Sequence, residues 1–146
     1  MNLKIEKNQQ GGDDTALNTI MLRCTDGTSI TSSGGEWGSW NGYSSCDSGY
    51  MRGAKLRSEK DILGDDSALN GLRFECTDGN MKYPGDGYWG SWLGLSRCPS
   101  GSAVYGIKTR LEQNMGWIGP LGFPFPFKND DDTALNEAVF YCAVLI

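Results

Sequence analysis

The sequence predicts an all-β protein, a β-prism of three sheets with pseudo-threefold symmetry. A string of the form Asp-Asp-Thr/Ser-Ala-Leu-Asn occurs three times, at residues 13–18, 65–70 and 131–136. After each string, apolar and polar residues alternate with a period of two, which is typical of half-buried strands. Turn-forming Asp-Gly pairs follow the first two of these strands, and the chain shows no 3.6-residue helical pattern.

The repeat organises the whole chain. The first two Asp-Asp strings lie 52 residues apart, and a second motif, Gly-x-Trp-Gly-x-Trp followed by a cysteine, recurs with the same spacing in Trp37 and Trp89. The copies are approximately residues 1–27, 28–79 and 80–146, with an insertion loop at 113–130 in the last copy. Three such copies, each with one apolar face, can bury those faces around a common axis, so we predict a single domain over residues 1–146.

Two predicted strands belong to each copy. The first contains a basic residue two positions before a glutamate, in the pairs Lys4 and Glu6, Arg57 and Glu59, and Arg110 and Glu112. The second follows the Asp-Asp string and should face the core through Ile20, Leu22 and Cys24, through Leu72, Phe74 and Cys76, and through Ala138, Phe140 and Cys142.

Composition narrows the functional classes. The formal net charge of -5, with 13 Lys and Arg scattered along the sequence, predicts no nucleic-acid partner. The absence of histidine removes the commonest general base and metal ligand, and we predict no metal or cofactor. No apolar stretch reaches membrane-spanning length, and the first residues carry no secretory signal.

Together the Trp motif, its cysteine, the basic-x-Glu strand and the Asp-Asp string resemble the vitelline membrane outer layer protein 1 family. The resemblance implies the β-prism and a secreted protein of egg coats and other extracellular layers. The 52-residue period places the first copy's Trp motif and cysteine before Met1, so the chain begins within a repeat. If nothing precedes Met1, the first sheet would be short of strands, and its open edge could drive dimerisation.

Five cysteines at repeat positions favour a disulfide framework. The natural partners within a copy are Cys46 with Cys76 and Cys98 with Cys142, which leaves Cys24 unpaired. The alternative is a reduced intracellular protein whose cysteines fill the core. The family resemblance favours secretion.

The paired aspartates are the first candidate binding residues. They could hold a cation or act as an acid/base pair on a glycosidic bond. Alternatively they are scaffolding, in which Asp and Asn side chains satisfy backbone N–H groups in tight turns and the basic residues of the preceding strands are charge partners. Three equivalent copies favour scaffolding, because a catalytic pair needs one special environment. The residues are Asp13, Asp14, Asp65, Asp66, Asp131 and Asp132.

Tryptophans are the second set of candidates. Trp37, Trp89 and Trp117 could stack on sugars, but tryptophan also fills cores, and we expect at least one Trp of each motif to be buried. The insertion at 113–130 is rich in Phe and Pro. It either covers part of the core, which we favour, or forms an exposed aromatic surface that binds a glycan, a lipid or a partner protein.

We therefore predict a non-enzymatic extracellular protein, structural or carbohydrate-associated, that presents loops and an acidic surface to N-acetylglucosamine-containing glycans or matrix proteins. One alternative is a chitooligosaccharide transferase with lysozyme-like chemistry, an activity associated with the family, which needs two suitably spaced carboxylates. The other is contact with a membrane or partner through the insertion. Membrane contact is the weaker prospect, because only Lys128 flanks the aromatic residues.

Overall fold

The computed structural model describes residues 1–6, 17–32, 34–35, 37–59, 68–87, 89–111 and 135–146. These residues form eleven strands in three antiparallel sheets and contain no helix. Accordingly, they include no helix long and apolar enough to span a membrane. The predicted all-β class with three sheets is confirmed.

The first sheet has the strand order β3-β2-β1-β4, and the second has the order β7-β6-β5-β8 with the short β9 also paired to β5. The third sheet pairs β10 with β11. The strands of the first sheet are β1 (Asn2–Ile5), β2 (Leu17–Arg23), β3 (Ser29–Thr31) and β4 (Ser39–Trp40). Those of the second are β5 (Met51–Ser58), β6 (Leu69–Cys76), β7 (Met81–Asp86), β8 (Ser91–Trp92) and β9 (Ser96–Arg97). Those of the third are β10 (Ser102–Leu111) and β11 (Leu135–Val144).

The three sheets enclose one core. The strands that follow the Asp-Asp strings, β2, β6 and β11, each contact the other two. Their first residues, Leu17, Leu69 and Leu135, are all buried. Burial of each leucine side chain contributes about 2 kcal/mol of transfer free energy. These leucines occupy equivalent positions of the repeat, which therefore form the centre of the core. This is the arrangement of a β-prism.

The expectation of a strand-poor first sheet is wrong. The first sheet has four strands, whereas the described residues of the third sheet form only two. The reason lies in the Trp motif. Its strand returns to the sheet that precedes it in the sequence, since Trp40 pairs with Lys4 and Trp92 pairs with Arg57. The first two sheets therefore each gain a strand from the Trp motif that follows them in the sequence.

A β-bulge in the second sheet positions one side chain of the site described below. The register between β5 and β6 shifts between Met51 and Gly53, which makes Arg52 the extra residue opposite Glu75 and Cys76. A bulge of this kind re-aims the side chain of its extra residue. Gly53 is required there because a Cβ would lie 2.8 Å from the carbonyl oxygen of Ser96.

Candidate functional site

The outer face of the second sheet gathers charged and aromatic side chains from five strands. Because side chains alternate along a strand, the burial of Leu72 and Phe74 on β6 places Arg73 between them on the opposite face. The pairing of β6 with β5 and β7, and of β5 with β8 and β9, then assigns the neighbours of Arg73 to the same face. We call this surface the basic face. It comprises Arg52, Lys55, Arg57, Arg73, Arg97, Glu75, Asp86, Tyr83 and Trp92.

Arg73 occupies the middle of the basic face. Its guanidinium carbon lies 4.1 Å from the ring centroid of Trp92 and 5.0 Å from that of Tyr83. The two rings come from strands on either side of β6, so the cation is held by aromatic faces from both directions. Arg73 makes no hydrogen bond or ion pair with the described residues. Its N–H donors are therefore available to a ligand.

Arg57 connects the basic face to the Trp motif. Its Nη1 donates to the Asp86 carboxylate at 3.0 Å and to the Gly87 carbonyl at 2.7 Å, and its Nε donates to the Gly90 carbonyl at 3.1 Å. In the first sheet, Lys4 Nζ donates in the same way to the carbonyl of Gly35, the counterpart of Gly87, at 3.4 Å. The basic residue of this strand thus anchors the turn that enters the Trp motif, a role that the sequence did not suggest.

Glu75 is a buried carboxylate held by two arginines. Arg52 and Arg97 each bond it through two nitrogens, with Nε to Oε2 distances of 3.1 and 2.7 Å. The hydrogen bonds from Arg97 and then Arg52 lower the pKa of Glu75 to about 2, against a smaller opposing effect of burial. Glu75 is therefore ionised at neutral pH and cannot serve as a proton donor.

The basic face has an excess of positive charge. It contains five basic and two acidic side chains, on a chain whose formal net charge is -5. Lys55, like Arg73, makes no ion pair with the described residues. The basic residues are scattered in sequence, as noted above, but folding collects five of them on one surface. The second sheet therefore presents a basic surface on a chain of negative net charge.

The sequence-predicted aspartate site lies outside the described residues. Asp13, Asp14, Asp65, Asp66, Asp131 and Asp132 all fall there, as do Trp117 and the insertion at 113–130. Two further aspartates, Asp26 and Asp78, lie in the predicted Asp-Gly turns, where bonds from Thr28 and Asn80 respectively lower their pKa values. Among the described residues, no group of three or more Cys, Asp or Glu side chains could hold a metal ion.

The asparagines that end the Asp-Asp strings do not have the predicted role. Asn18 and Asn70 are fully buried, but the side-chain oxygen of neither accepts a hydrogen bond. Asn70 instead donates through Nδ2 to the carbonyl of Ala68 at 3.5 Å. The prediction that these amides satisfy backbone N–H groups in a turn is therefore wrong, because both residues lie inside strands β2 and β6.

The candidate tryptophans of the two motifs are exposed. Trp37 and Trp89 are 55% and 50% exposed, and Trp40 is 41% exposed. The expectation that one Trp of each motif is buried is thus wrong for Trp37 and Trp40, and Trp92 is only half-buried. Leucine, isoleucine and phenylalanine fill the core instead, and the β4 and β8 tryptophans lie at outer sheet edges.

The structure confirms the cysteine pairing. Cys46 bonds Cys76 and Cys98 bonds Cys142, while Cys24 is a half-buried free thiol. Cys24 lies at the wall of a cavity of about 520 Å³ whose lining comes from all three sheets and includes Leu22, Phe74 and Val104.

The basic face was not predicted from the sequence, although one signal for it exists there. At the positions equivalent to Arg73, the other two copies have Met21 and Val139. The charge at this position is therefore specific to the second copy. A comparison of the copies position by position would have singled it out.

Fold and site together define a class: an all-β, disulfide-containing protein of three sheets around a single core, with one basic and aromatic outer face. The family model of vitelline membrane outer layer protein I matches residues 1–144. The chain therefore belongs to the vitelline membrane outer layer protein I family. It is 38% identical over 152 aligned residues to a human protein, and 36% identical over 142 to a mouse protein, each named vitelline membrane outer layer protein 1 homolog. These alignments cover 96% and 90% of this chain but only 67% and 63% of the relatives, so the chain spans about two thirds of their length.

Proposed function

We propose that this chain is a non-enzymatic extracellular protein of an outer coat or secretion that associates with carbohydrate. The family to which it belongs is named for the outer layer of the vitelline membrane, and its human and mouse relatives carry the same name. The two disulfides agree with an oxidising, extracellular environment. These points support the coat role.

The exposure of the aromatic rings supports the carbohydrate part of the proposal. Tyr83, Trp37 and Trp89 are 64%, 55% and 50% exposed. A flat apolar ring matches the C–H face of a pyranose, and the polar atoms beside it can bond the sugar hydroxyls. Arg73 and Lys55 supply such polar atoms within the basic face. The contact of the exposed Tyr83 ring with Arg73, which makes no hydrogen bond with the described residues, carries the proposal.

The chemistry of the described carboxylates gives no support to glycosyl transfer. A general acid for this reaction needs a raised pKa. The described carboxylates with a shifted pKa, Glu75, Asp26 and Asp78, are all shifted downward. None of these three groups therefore has the raised pKa that a general acid for this reaction needs.

Titration with the hexamer of N-acetylglucosamine, followed by tryptophan fluorescence, tests the proposal. We expect a saturable change in emission at up to millimolar sugar, reduced in the Trp89→Phe variant. Mass analysis of the same mixtures after long incubation should show only the hexamer. The appearance of longer oligomers would establish the transferase alternative, and the absence of any spectral change would remove support for a neutral-sugar site.

A further inference from the structure

We propose that the basic face binds acidic polysaccharides, with Arg73 as the central contact to a sulfate or carboxylate group. The inference rests on the proposed association with carbohydrate and names the class of glycan and the surface that binds it. The ligand is an extended chain bearing regularly placed anionic groups, because the binding surface is the broad outer side of a sheet and not an enclosed pocket.

The charge of the basic face selects an anionic ligand. Arg57 is balanced by Asp86, and one of the two arginines on Glu75 is balanced by that carboxylate. Three positive charges remain, those of Arg73, Lys55 and the second arginine of the Glu75 pair. On a chain with a net charge of -5, this excess makes the second sheet the surface that attracts a polyanion.

The aromatic rings prepare Arg73 for this contact. The Arg73 guanidinium lies over the rings of both Trp92 and Tyr83, and among the described residues its N–H groups have no hydrogen-bond acceptor. Because these contacts already restrict the Arg73 side chain, it loses little additional conformational entropy when it binds a ligand. The parallel N–H donors of the guanidinium match the oxygens of a sulfate or carboxylate. The exposed ring of Tyr83 next to it offers a surface on which a sugar ring can stack.

The internal repeat shows that the fold does not need this arginine. Met21 and Val139 occupy the equivalent positions on β2 and β11, and both strands form and pair normally. At the positions equivalent to Glu75 the other copies have Arg23 and Tyr141. The basic face is therefore a property of one sheet, added to a scaffold that is built without it.

Binding of a heparin dodecasaccharide, a hyaluronan dodecasaccharide and the N-acetylglucosamine hexamer, measured by calorimetry at low and at physiological salt, tests the inference. We expect both acidic glycans to bind more tightly than the neutral hexamer, with affinities that fall as salt rises. Arg73→Met, which installs the residue of the first copy, should weaken heparin binding about tenfold. Arg73→Lys, which keeps the charge but loses the fork, should lie between Arg73→Met and the wild type.

The matched control is Lys108→Met, which makes the same change of charge on the exposed outer side of β10. It should alter heparin affinity less than twofold, and circular dichroism should show all variants folded.

An equal loss in Lys108→Met and Arg73→Met, or no loss in Arg73→Met, would overturn the inference. So would a DNA duplex of equal charge that binds as tightly as heparin, since the face would then select charge and not glycan. If the neutral hexamer binds and the acidic glycans bind no more tightly than it does, only this inference fails. If no sugar binds, the carbohydrate part of the proposed function fails as well.

Discussion

At the scale of single residues, Glu75 shows how a charged side chain can be buried on an otherwise polar surface. Its side chain is only 7% exposed, yet each oxygen accepts hydrogen bonds from two guanidinium groups. Burial of a carboxylate without such partners would cost several kcal/mol. The two arginines belong to β5 and β9, and hence Glu75 joins three strands of the second sheet.

Replacement of Glu75 by Gln should destabilise the protein by about 2 kcal/mol at pH 7, because the two arginines lose their shared counter-charge. The pKa of Glu75 is lowered from 4.5 to about 2 in the folded protein. Its stabilising contribution is thus complete above pH 4.5 and is lost as the pH falls toward 2. Urea unfolding at a series of pH values should therefore show the stability difference between wild type and Glu75→Gln shrinking across this window.

Glu137→Gln, at an exposed position on β11, is the control and should leave the unfolding midpoint unchanged at pH 7. A difference between wild type and Glu75→Gln that stays constant from pH 7 to pH 2 would contradict the assigned pKa.

At the scale of single elements, the short strands β4 and β8 depend on one glycine each. Gly38 and Gly90 have φ angles of +97° and +89°, a conformation that L side chains rarely adopt. A Cβ at Gly90 would also lie 2.5 Å from the carbonyl oxygen of Ser58. The Gly of Trp-Gly-x-Trp is therefore the residue that lets the motif approach the neighbouring strand, and this approach brings Trp92 to Arg57 and Arg73.

Gly90→Ala should cost at least about 2 kcal/mol, from backbone strain together with the displacement of β8. Thermal unfolding would measure the loss. Gly94→Ala is the matched control, since a Cβ at Gly94 would meet nothing within 4 Å, and it should stay within about 0.5 kcal/mol of wild type. Equal midpoints for both variants would show that the close approach of β8 does not limit stability.

At the scale of the whole molecule, the two disulfides secure the segments that link one sheet to the next. Cys46 precedes the second sheet and bonds Cys76 at the end of β6, and Cys98 precedes the third sheet and bonds Cys142 on β11. Each bond closes a long loop, of 30 and 44 residues in sequence separation. Loops of this size restrict the unfolded chain considerably.

Replacement of both Cys46 and Cys76 by Ser should lower the stability by about 3 kcal/mol, and the midpoint of thermal unfolding by about 10 °C. Calorimetry without reductant would record the shift. Cys24→Ser should leave the midpoint nearly unchanged, because this thiol forms no disulfide. In the unfolded, non-reduced wild type a maleimide should label one cysteine per chain. Labelling of three or more would show that the assigned pairs do not form.

The sequence by itself determined the strand class, the repeat, the Asp-Gly turns and the cysteine pairs. Each of these follows from periodicity or from equivalent positions, which can be read along the chain. Only the tertiary structure decided that the Trp motif closes the preceding sheet, that its tryptophans stay exposed, and that Arg73 lies between Trp92 and Tyr83. Those outcomes depend on the register between strands that are distant in sequence, and each side chain's neighbours exist only once that register is formed. The charged residues of the basic face are spread over residues 52–97 of the sequence. They come together only when the five strands that carry them pair in the folded protein.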